Sequence, residues 1–294
     1  MTNIYDQNQL IRQKKEYHYD LREFQLRSVC LLEAIDKVCK EHHIHYYIIA
    51  GTLLGAVRHQ GFIPWDDDMD IALMRDDYDL LMEHACEWLP APFSIVNFKN
   101  CEHYPKYFAK IEDTSTTVVE RLYLGYAGGI YMDIFPLDKV PDNKFRRNMH
   151  FRRFNFMRKL LYFVYRDPYK HGKGVRSLLP RVIQSLCTKQ GLHNRCEKIL
   201  TEYRHDPNCH YVMTHDDGYK AYKAEIFGEP STLTFEGVTA DAPKVPDGFL
   251  SVLYGSDYMQ LPPEDKRRSH FHDYCDLNKP YAEFDIKTLV DNVQ

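Results

Sequence analysis

Four aspartates lie close together in the chain, Asp66, Asp67, Asp68 and Asp70, directly before the apolar residues Ile71–Leu73. The pattern predicts a strand that opens with carboxylates. Because side chains alternate between the two faces of a strand, Asp66, Asp68 and Asp70 share one face and Asp67 faces away. Three like charges on one face repel, and a divalent cation between them relieves the repulsion. The spacing therefore predicts a site for Mg²⁺ or Mn²⁺ with Asp68 and Asp70 as ligands, and with Asp66 as a further ligand or as a support for the other two.

The segment before the aspartates predicts a binding site for phosphate. Tyr46–Ala50 is a short apolar run typical of a buried strand, and Gly51 ends it. Thr52 is expected to cap a helix that continues to His59, because its hydroxyl suits that position. A helix start offers backbone N–H groups and the positive end of the helix dipole to a phosphate. Together with the carboxylates, this predicts a site for a metal-bound phosphate ester.

These motifs resemble two related groups of proteins. Gly51-Thr52 followed by Asp68-x-Asp70 resembles the nucleotidyltransferase superfamily, which includes DNA polymerase β. The longer sequence from Gly51 to Asp70 is similar to the LicD family, the phosphocholine transferases of bacterial surface glycans, to which fukutin is related. The sequence Tyr254–Pro263 resembles the C-terminal pattern of that family. The resemblance extends from about residue 20 to about residue 272 and is weakest between residues 145 and 220.

The resemblance implies a fold and a reaction. The fold is α/β, with a mixed, partly antiparallel sheet of the nucleotidyltransferase type and a mostly helical C-terminal part. The reaction is transfer of phosphocholine from CDP-choline to a sugar hydroxyl of a surface glycan or teichoic acid precursor, with release of CMP. Phosphoethanolamine and ribitol phosphate stay open as transferred groups. The alternatives are a transferase that places a nucleoside monophosphate on a small molecule or protein, and a non-catalytic binding module, which the complete acidic set disfavours.

A fifth aspartate is predicted to reach the same site. In Gly129–Phe135 the residues alternate, so that Asp133 lies on the face opposite Ile134. A buried unpaired acid inside a strand is costly, so we expect Asp133 to face the carboxylates. The resemblance implies that it completes the metal site and takes the proton of the acceptor; the alternative is a surface acid. Asp138, near the end of this strand, is expected to form a cap or turn.

Four basic residues are further candidates, each with an alternative. Arg58 follows the predicted helix and is expected to hold a phosphate or to pair with one of the aspartates. Lys110 resembles a basic position of the family and is assigned to substrate binding on that ground. His270 and His272 resemble a C-terminal histidine of the family, and the sequence leaves open whether they contact substrate or serve the structure.

The composition and the N-terminus predict where the protein acts. The 294 residues allow one large domain or a core with an appendage. The chain begins without an apolar signal region, and no run approaches the ~18 apolar residues of a membrane span. We therefore expect a cytoplasmic protein, with its eight cysteines reduced. The net charge of −4 says little about partners, and no nucleic acid is expected among them.

The chain divides into three predicted regions: an N-terminal arm at 1–19, a catalytic core at 20–143, and a helical C-terminal region at 144–294. Residues 144–189 contain thirteen Lys or Arg and one acid, Asp167, interleaved with aromatic residues. This basic segment is a solvated helical face, or it contacts anionic lipid at the inner face of the cytoplasmic membrane or a phosphate-bearing acceptor. The remaining predicted elements are helices at 20–42, 78–89, 145–166 and 249–254, and strands at 93–98, 107–112, 116–122, 222–227 and 231–235.

Overall fold

A computed structural model of the chain describes residues 18–170, 174–267 and 269–291, so most of the predicted N-terminal arm lies outside the described residues. The described chain is a mixed α/β structure, as predicted. Its helices are α1 (Leu21–Glu41), α2 (Ala50–His59), α3 (Arg75–Trp88), α4 (Lys144–Tyr165), α5 (Leu178–Leu186), α6 (Lys189–Leu200), α7 (Pro246–Tyr254) and α8 (Lys287–Asp291). Its strands are β1 (Tyr46–Ile48), β2 (Asp70–Met74), β3 (Phe93–Val96), β4 (Ala109–Val119), β5 (Gly128–Val140), β6 (Tyr211–Met213), β7 (Tyr222–Lys223), β8 (Ser231–Phe235), β9 (Val238–Ala242) and β10 (Tyr274–Asp276).

The main sheet has eight strands and mixes both orientations. Its central order is β1-β2-β5-β4-β10, and β2 and β5 run parallel while the other neighbours in this order are antiparallel. Strand β3 pairs with β4, and β6 extends the sheet from the end of β5. Strands β8 and β9 form a separate hairpin. Since β6 and β10 come from beyond residue 143, the sheet draws on both the predicted core and the predicted C-terminal region.

Helix α1 covers the sheet because one of its faces is apolar. Asp20 accepts a hydrogen bond from the backbone N–H of Glu23 and so caps the helix start. Phe24, Leu31 and Ile35 are buried, with 1%, 0% and 0% of their surface exposed. They recur at helical spacing, so the helix predicted at 20–42 is confirmed with its ends one residue inside.

The predicted elements of the second half are partly correct. The helix predicted at 145–166 is α4, and the strand predicted at 231–235 is β8. The strand predicted at 222–227 was wrong beyond Lys223, because Ala224–Ile226 forms a turn of 3₁₀ helix. The strands predicted at 107–112 and 116–122 form one strand, β4, with an irregular register between Asp113 and Val118. Among the described residues, no helix combines the length and apolar character that crossing a membrane requires.

Candidate active site

A cavity of ≈700 Å³ opens beside the parallel pair of strands β2 and β5. Its volume is within the range of small-molecule sites. Asp66, Asp68, Asp70 and Asp133 line it together, and Gly51 of helix α2 lies beside them. Polar and charged residues of other elements also line the cavity: Lys106, Glu120, Arg121, Asn155, Arg158, Lys159, Thr214, Asp216, Asp217, His270 and His272.

The pairing of β2 with β5 brings the aspartates to one place. In the parallel register Asp70 lies opposite Asp133, and the backbone N–H of Asp133 donates to the carbonyl of Met69 at 2.8 Å. Asp66 and Asp68 lie in the extended segment just before β2, so the predicted strand begins later than expected. Met69 and Ile71 are fully buried on the other side, which keeps the alternation that the sequence predicted.

Helix α2 begins at the cavity. Its first internal hydrogen bond runs from the N–H of Leu53 to the carbonyl of Ile49, so the preceding N–H groups have no partner within the helix. Thr52 does not cap the helix, contrary to the prediction. Its buried hydroxyl accepts a hydrogen bond from the backbone N–H of Asp70 at 2.8 Å. The prediction was wrong because the helix starts at Ala50, which places Thr52 inside the first turn.

Gly51 permits a close approach between α2 and the carboxylates. A Cβ atom at this position would lie 2.7 Å from Oδ2 of Asp66, closer than real Cβ contacts come. Ala50 has a φ of 47°, in the left-handed region, where the chain turns from β1 into α2. The absence of a side chain at Gly51 therefore lets a carboxylate oxygen lie against the helix start.

The carboxylates are arranged so that their charged forms repel. Desolvation in the cavity wall raises the pKa of Asp66, Asp68 and Asp70 above the ordinary aspartate value. The charge of Asp68 raises the pKa of Asp66 and Asp70 further. Burial also raises the pKa of Asp133 to about 6, against the lowering effect of Lys110 and Lys106. A cation among these oxygens would relieve the repulsion.

Lys110 lies behind Asp133 and is completely buried. Its Nζ lies 3.0 Å from Oδ1 of Asp133 and 2.8 Å from Oε1 of Glu120, and 3.1 Å from the centre of the Tyr131 ring. Lys106 also pairs with Glu120, at 3.3 Å. Burial alone would raise the pKa of Glu120, but the charges of Lys106 and Lys110 lower it below the ordinary glutamate value. Lys110 thus holds Asp133 in place rather than lining the cavity.

Glu120 and Lys106 were missed in the sequence. Lys110 and Glu120 are ten residues apart, and a straight strand would separate them by ~33 Å. The irregular stretch of β4 between Asp113 and Val118 bends the chain and brings the two side chains together. The alternation that identified Asp133 could not locate this bend.

Asp67 faces away from the cavity, as predicted, and has a structural partner there. Its carboxylate accepts hydrogen bonds from the backbone N–H groups of His270 and Phe271 at 3.0 and 2.9 Å. Burial opposes the charged form of Asp67, but hydrogen bonds with His270 lower its pKa. The ring of His270 lies 3.2 Å from Oδ2 of Asp68, and its contacts with Asp67 and Asp68 raise its pKa. His272 is buried, where it contacts the hydroxyls of Tyr19 and Tyr131.

Two predicted residues lie elsewhere. Arg58 is not among the residues that line the cavity; its guanidinium donates to the backbone carbonyls of Tyr258 and Gln260. Asp138 does not form a cap or turn. It is buried in β5 and accepts two hydrogen bonds from Arg75, at 2.6 and 2.7 Å.

The donor set suits a hard divalent cation. Asp66, Asp67, Asp68 and His270 offer ligand atoms that all lie within 4.8 Å of one another. The carboxylate of Asp67 already accepts from backbone N–H groups, so Asp66 and Asp68, the latter 3.2 Å from the His270 ring, are the oxygen donors of this group that remain for a cation. Asp133 adds a buried Oδ1 that accepts no well-oriented hydrogen bond despite the nearby lysine. Oxygen donors of this kind fit Mg²⁺ or Mn²⁺.

Comparison with known proteins finds one family model and several relatives that are similar to this chain. Residues 43–164 match the family model described as "LicD/FKTN/FKRP, nucleotidyltransferase domain". The chain is also 29% identical over 264 residues to the lipopolysaccharide cholinephosphotransferase LicD of Haemophilus influenzae, an alignment that covers 85% of this chain and 95% of that protein. The chain is thus similar to the LicD family over residues 43–164 and to LicD of Haemophilus influenzae over most of its length.

The region that matches the LicD family model contains Gly51, Asp66, Asp68, Asp70 and Asp133, whereas His270 lies outside it. A second similarity is shorter. An uncharacterised protein of Rickettsia prowazekii and one of Rickettsia typhi are each 51% identical to this chain over 47 residues. These alignments cover 16% of this chain and 18% and 15% of the two relatives.

Proposed function

We propose that the chain transfers phosphocholine from CDP-choline to a sugar hydroxyl of lipopolysaccharide or a related surface glycan. The observation that carries the proposal is the convergence of Asp66, Asp68, Asp70 and Asp133 on one cavity with Gly51 at a helix start. The name of the Haemophilus influenzae relative supports the choice of transferred group and acceptor. A teichoic acid precursor is an acceptor of the same chemical class.

The parts of the cavity take separate roles in this proposal. The donor diphosphate lies at the start of α2, where N–H groups are unused within the helix. Lys106 and Lys159 line the cavity and add positive charge for the phosphates. Asp66, Asp68, Asp70 and Asp133 would hold Mg²⁺ or Mn²⁺. When bound, that ion supplies positive charge to the phosphate oxygens of the transition state.

The reaction is a displacement at phosphorus. The acceptor oxygen forms a bond to the phosphorus that carries choline, and the bond from that phosphorus to the bridging oxygen breaks. CMP leaves with the electron pair of the broken bond. Asp133 receives the proton of the acceptor hydroxyl. Lys110 positions Asp133, because its buried Nζ lies 3.0 Å from that carboxylate and Lys110 itself is not among the residues that line the cavity.

Aromatic rings support choline as the head group. A quaternary ammonium group binds against the faces of aromatic rings. The cavity is lined by such rings from several elements: Tyr107, Phe108, Tyr123, Tyr131, Phe135, Tyr162 and Tyr254. Asp216 and Asp217 line it too and favour a cationic group. Ribitol phosphate carries no positive charge and would not use these features.

The β1-α2-β2 unit, His270 and Arg58 are assigned roles in the proposed enzyme. The sequence β1-α2-β2, in which a short helix leads to a carboxylate strand, fits a nucleotidyltransferase-type core. His270, which lines the cavity beside Asp68, is assigned to substrate contact. Arg58 is assigned to fixing the C-terminal segment, since its guanidinium contacts carbonyls there.

The test is an assay with defined donors. The protein is incubated with Mg²⁺ and a lipopolysaccharide lacking choline, and with CDP-choline, CDP-ethanolamine, CDP-ribitol or a nucleoside triphosphate in turn. We expect CMP and choline-labelled glycan from CDP-choline. Pyrophosphate release from a triphosphate would instead indicate nucleotidyl transfer. Binding of CDP-choline without turnover on any acceptor would indicate a binding module.

A further inference from the structure

The outer surface of helix α5 and of the turn before it is apolar. Five large apolar side chains lie exposed there, and they define the α5 apolar face. They are Val175, Leu178, Leu179, Val182 and Leu186, with 87%, 57%, 56%, 43% and 79% of their surface exposed. In a helix that only packs on its own protein, such residues face inward.

The helix has a second, separate face that packs on the protein. At ~100° per residue, the four leucine and valine positions of α5 in this group fall within one arc of ~100°. Pro180 and Ile183 are buried on the other side. Gln184 donates to the carbonyls of Phe163 and Arg166 at 3.0 and 2.8 Å, which fixes α5 on helix α4. The α5 apolar face is therefore additional to the packing of the helix.

Positive charge flanks the α5 apolar face. Arg176 and Arg181 are exposed. On the helical projection Arg181 lies about 60° outside the apolar arc, and Arg176 lies in the turn before α5, next to Val175. The sequence from 168 to 196 contains no acid, while it contains six basic residues: Lys170, Lys173, Arg176, Arg181, Lys189 and Arg195. A helix with an apolar face between basic edges is typical of a membrane surface helix.

The basic residues of helix α4 are used differently. Arg147 donates to the backbone carbonyls of Pro141 and Asp142, and Arg153 pairs with Glu202 at 2.9 Å. Helix α4 also exposes Phe145, Met149 and Phe156, but the stretch 175–186 exposes five large apolar residues together with Arg176 and Arg181.

We propose that the α5 apolar face docks on the surface of an anionic lipid bilayer. The leucines and valines enter the boundary between head groups and acyl chains, and Arg176 and Arg181 contact lipid phosphates. A two-fold related copy of the chain fits the face less well, because it would bring arginines of both copies together. Anionic lipid neutralises them.

Docking in this way places the cavity near the lipid. Lys159, Leu161 and Tyr162 of α4 line the cavity, and α5 packs directly on α4. The cavity wall then lies about one helix diameter, ~10 Å, from the bilayer. Lipid docking goes beyond the proposed reaction. Because lipid binding is measured without turnover, the docking and the proposed reaction can each fail while the other holds.

The experiment is co-sedimentation of the full chain with vesicles of phosphatidylcholine alone, or with one third phosphatidylglycerol. We expect binding to the anionic vesicles that weakens at high salt. Leu179→Gln with Val182→Gln should reduce the binding constant about tenfold or more. Arg176→Gln with Arg181→Gln should reduce it about tenfold on anionic vesicles. The matched control is Leu26→Gln with Leu80→Gln, two apolar residues 49% and 39% exposed on other helices, which should bind as the parent does.

Three outcomes would overturn the proposal. In the first, the parent does not bind anionic vesicles. In the second, both α5 variants bind them as tightly as the parent does. In the third, the parent binds no vesicles but self-associates, and the α5 changes abolish that self-association. The last outcome assigns the face to a second copy. The altered side chains are exposed, so thermal midpoints should match the parent; if the apolar variant unfolds, the arginine variant carries the test.

Discussion

The hydroxyl of Thr52 accepts a hydrogen bond from the backbone N–H of Asp70 at 2.8 Å, and so joins the first turn of α2 to the first residue of β2. Helix and strand supply the two halves of the proposed site, the phosphate-binding start and the carboxylates. The contact is buried, with 2% of Thr52 exposed. The position of Asp70 relative to the helix start therefore depends on this hydroxyl and on the hydrogen bond from the N–H of Ile49 to the carbonyl of Asp70, at 3.0 Å.

Replacing Thr52 tests this connection. Thr52→Val keeps the shape but leaves the buried N–H of Asp70 without its partner, which should cost about 1–3 kcal/mol of unfolding free energy. The rate of CMP release should fall as well, because Asp70 shifts. Thr52→Ser keeps the hydroxyl and should retain most of both. Urea unfolding and the CMP assay measure the two effects, and a valine variant equal to the parent in both would contradict the account.

Gly51→Ala should affect turnover more than stability. The new Cβ would meet Oδ2 of Asp66 at 2.7 Å, so the carboxylate must move. Moving a group of the reaction site out of its position in this way lowers the reaction rate by about tenfold or more. The control is Gly174→Ala, where a Cβ meets nothing within 4 Å. Initial rates and thermal midpoints of the two variants are compared, and equal rates would show that Asp66 needs no such proximity.

Much of the site follows from sequence spacing. Asp66, Asp68 and Asp70 line one cavity because they alternate, and Asp133 joins them because it is the one acid in an otherwise apolar stretch of β5. Glu120 was not predictable, since its place depends on the bend within β4. The partner of Asp138 was missed because Arg75 is sixty-three residues away in the chain.

The buried pair of Arg75 and Asp138 should be essential for stability. The two side chains are 5% and 2% exposed and form two hydrogen bonds. Arg75→Met leaves the carboxylate buried without its cation and should cost about 3–5 kcal/mol. Arg204→Met, which removes the more exposed pairs with Asp76 and Asp79, should cost about 0–1 kcal/mol. Urea unfolding measures the loss of unfolding free energy in each variant. A small loss of similar size in both variants would contradict the prediction.

Two buried histidines should make stability depend on pH. The Nε2 atoms of His150 and His215 lie 3.1 Å apart, and burial lowers the pKa of both rings. The folded chain holds them neutral, while the unfolded chain protonates them near pH ~6.5, so unfolding takes up protons. Their contribution to the free energy of unfolding therefore falls as the pH drops below ~6.5.

The variant His215→Asn isolates this effect. Asparagine tolerates the φ of 65° at this position and does not titrate. The loss of unfolding free energy from about pH 7.5 to about pH 5.5 should be smaller in the variant than in the parent. Carboxylates contribute equally to the pH dependence of both proteins. If the variant and the parent lose the same unfolding free energy between these two pH values, the histidine pair is protonated in the fold.

The most direct measurement of the central claim is the rate of phosphocholine transfer from CDP-choline by the parent, by Asp70→Asn and by Asp76→Asn. Asp70 lines the cavity beside Asp66 and Asp68, whereas Asp76 is 80% exposed and pairs with Arg204. The account predicts a loss of about 10³-fold or more for Asp70→Asn with the fold intact, and a parental rate for Asp76→Asn. No transfer by the parent, or near-parental transfer by Asp70→Asn, would contradict it.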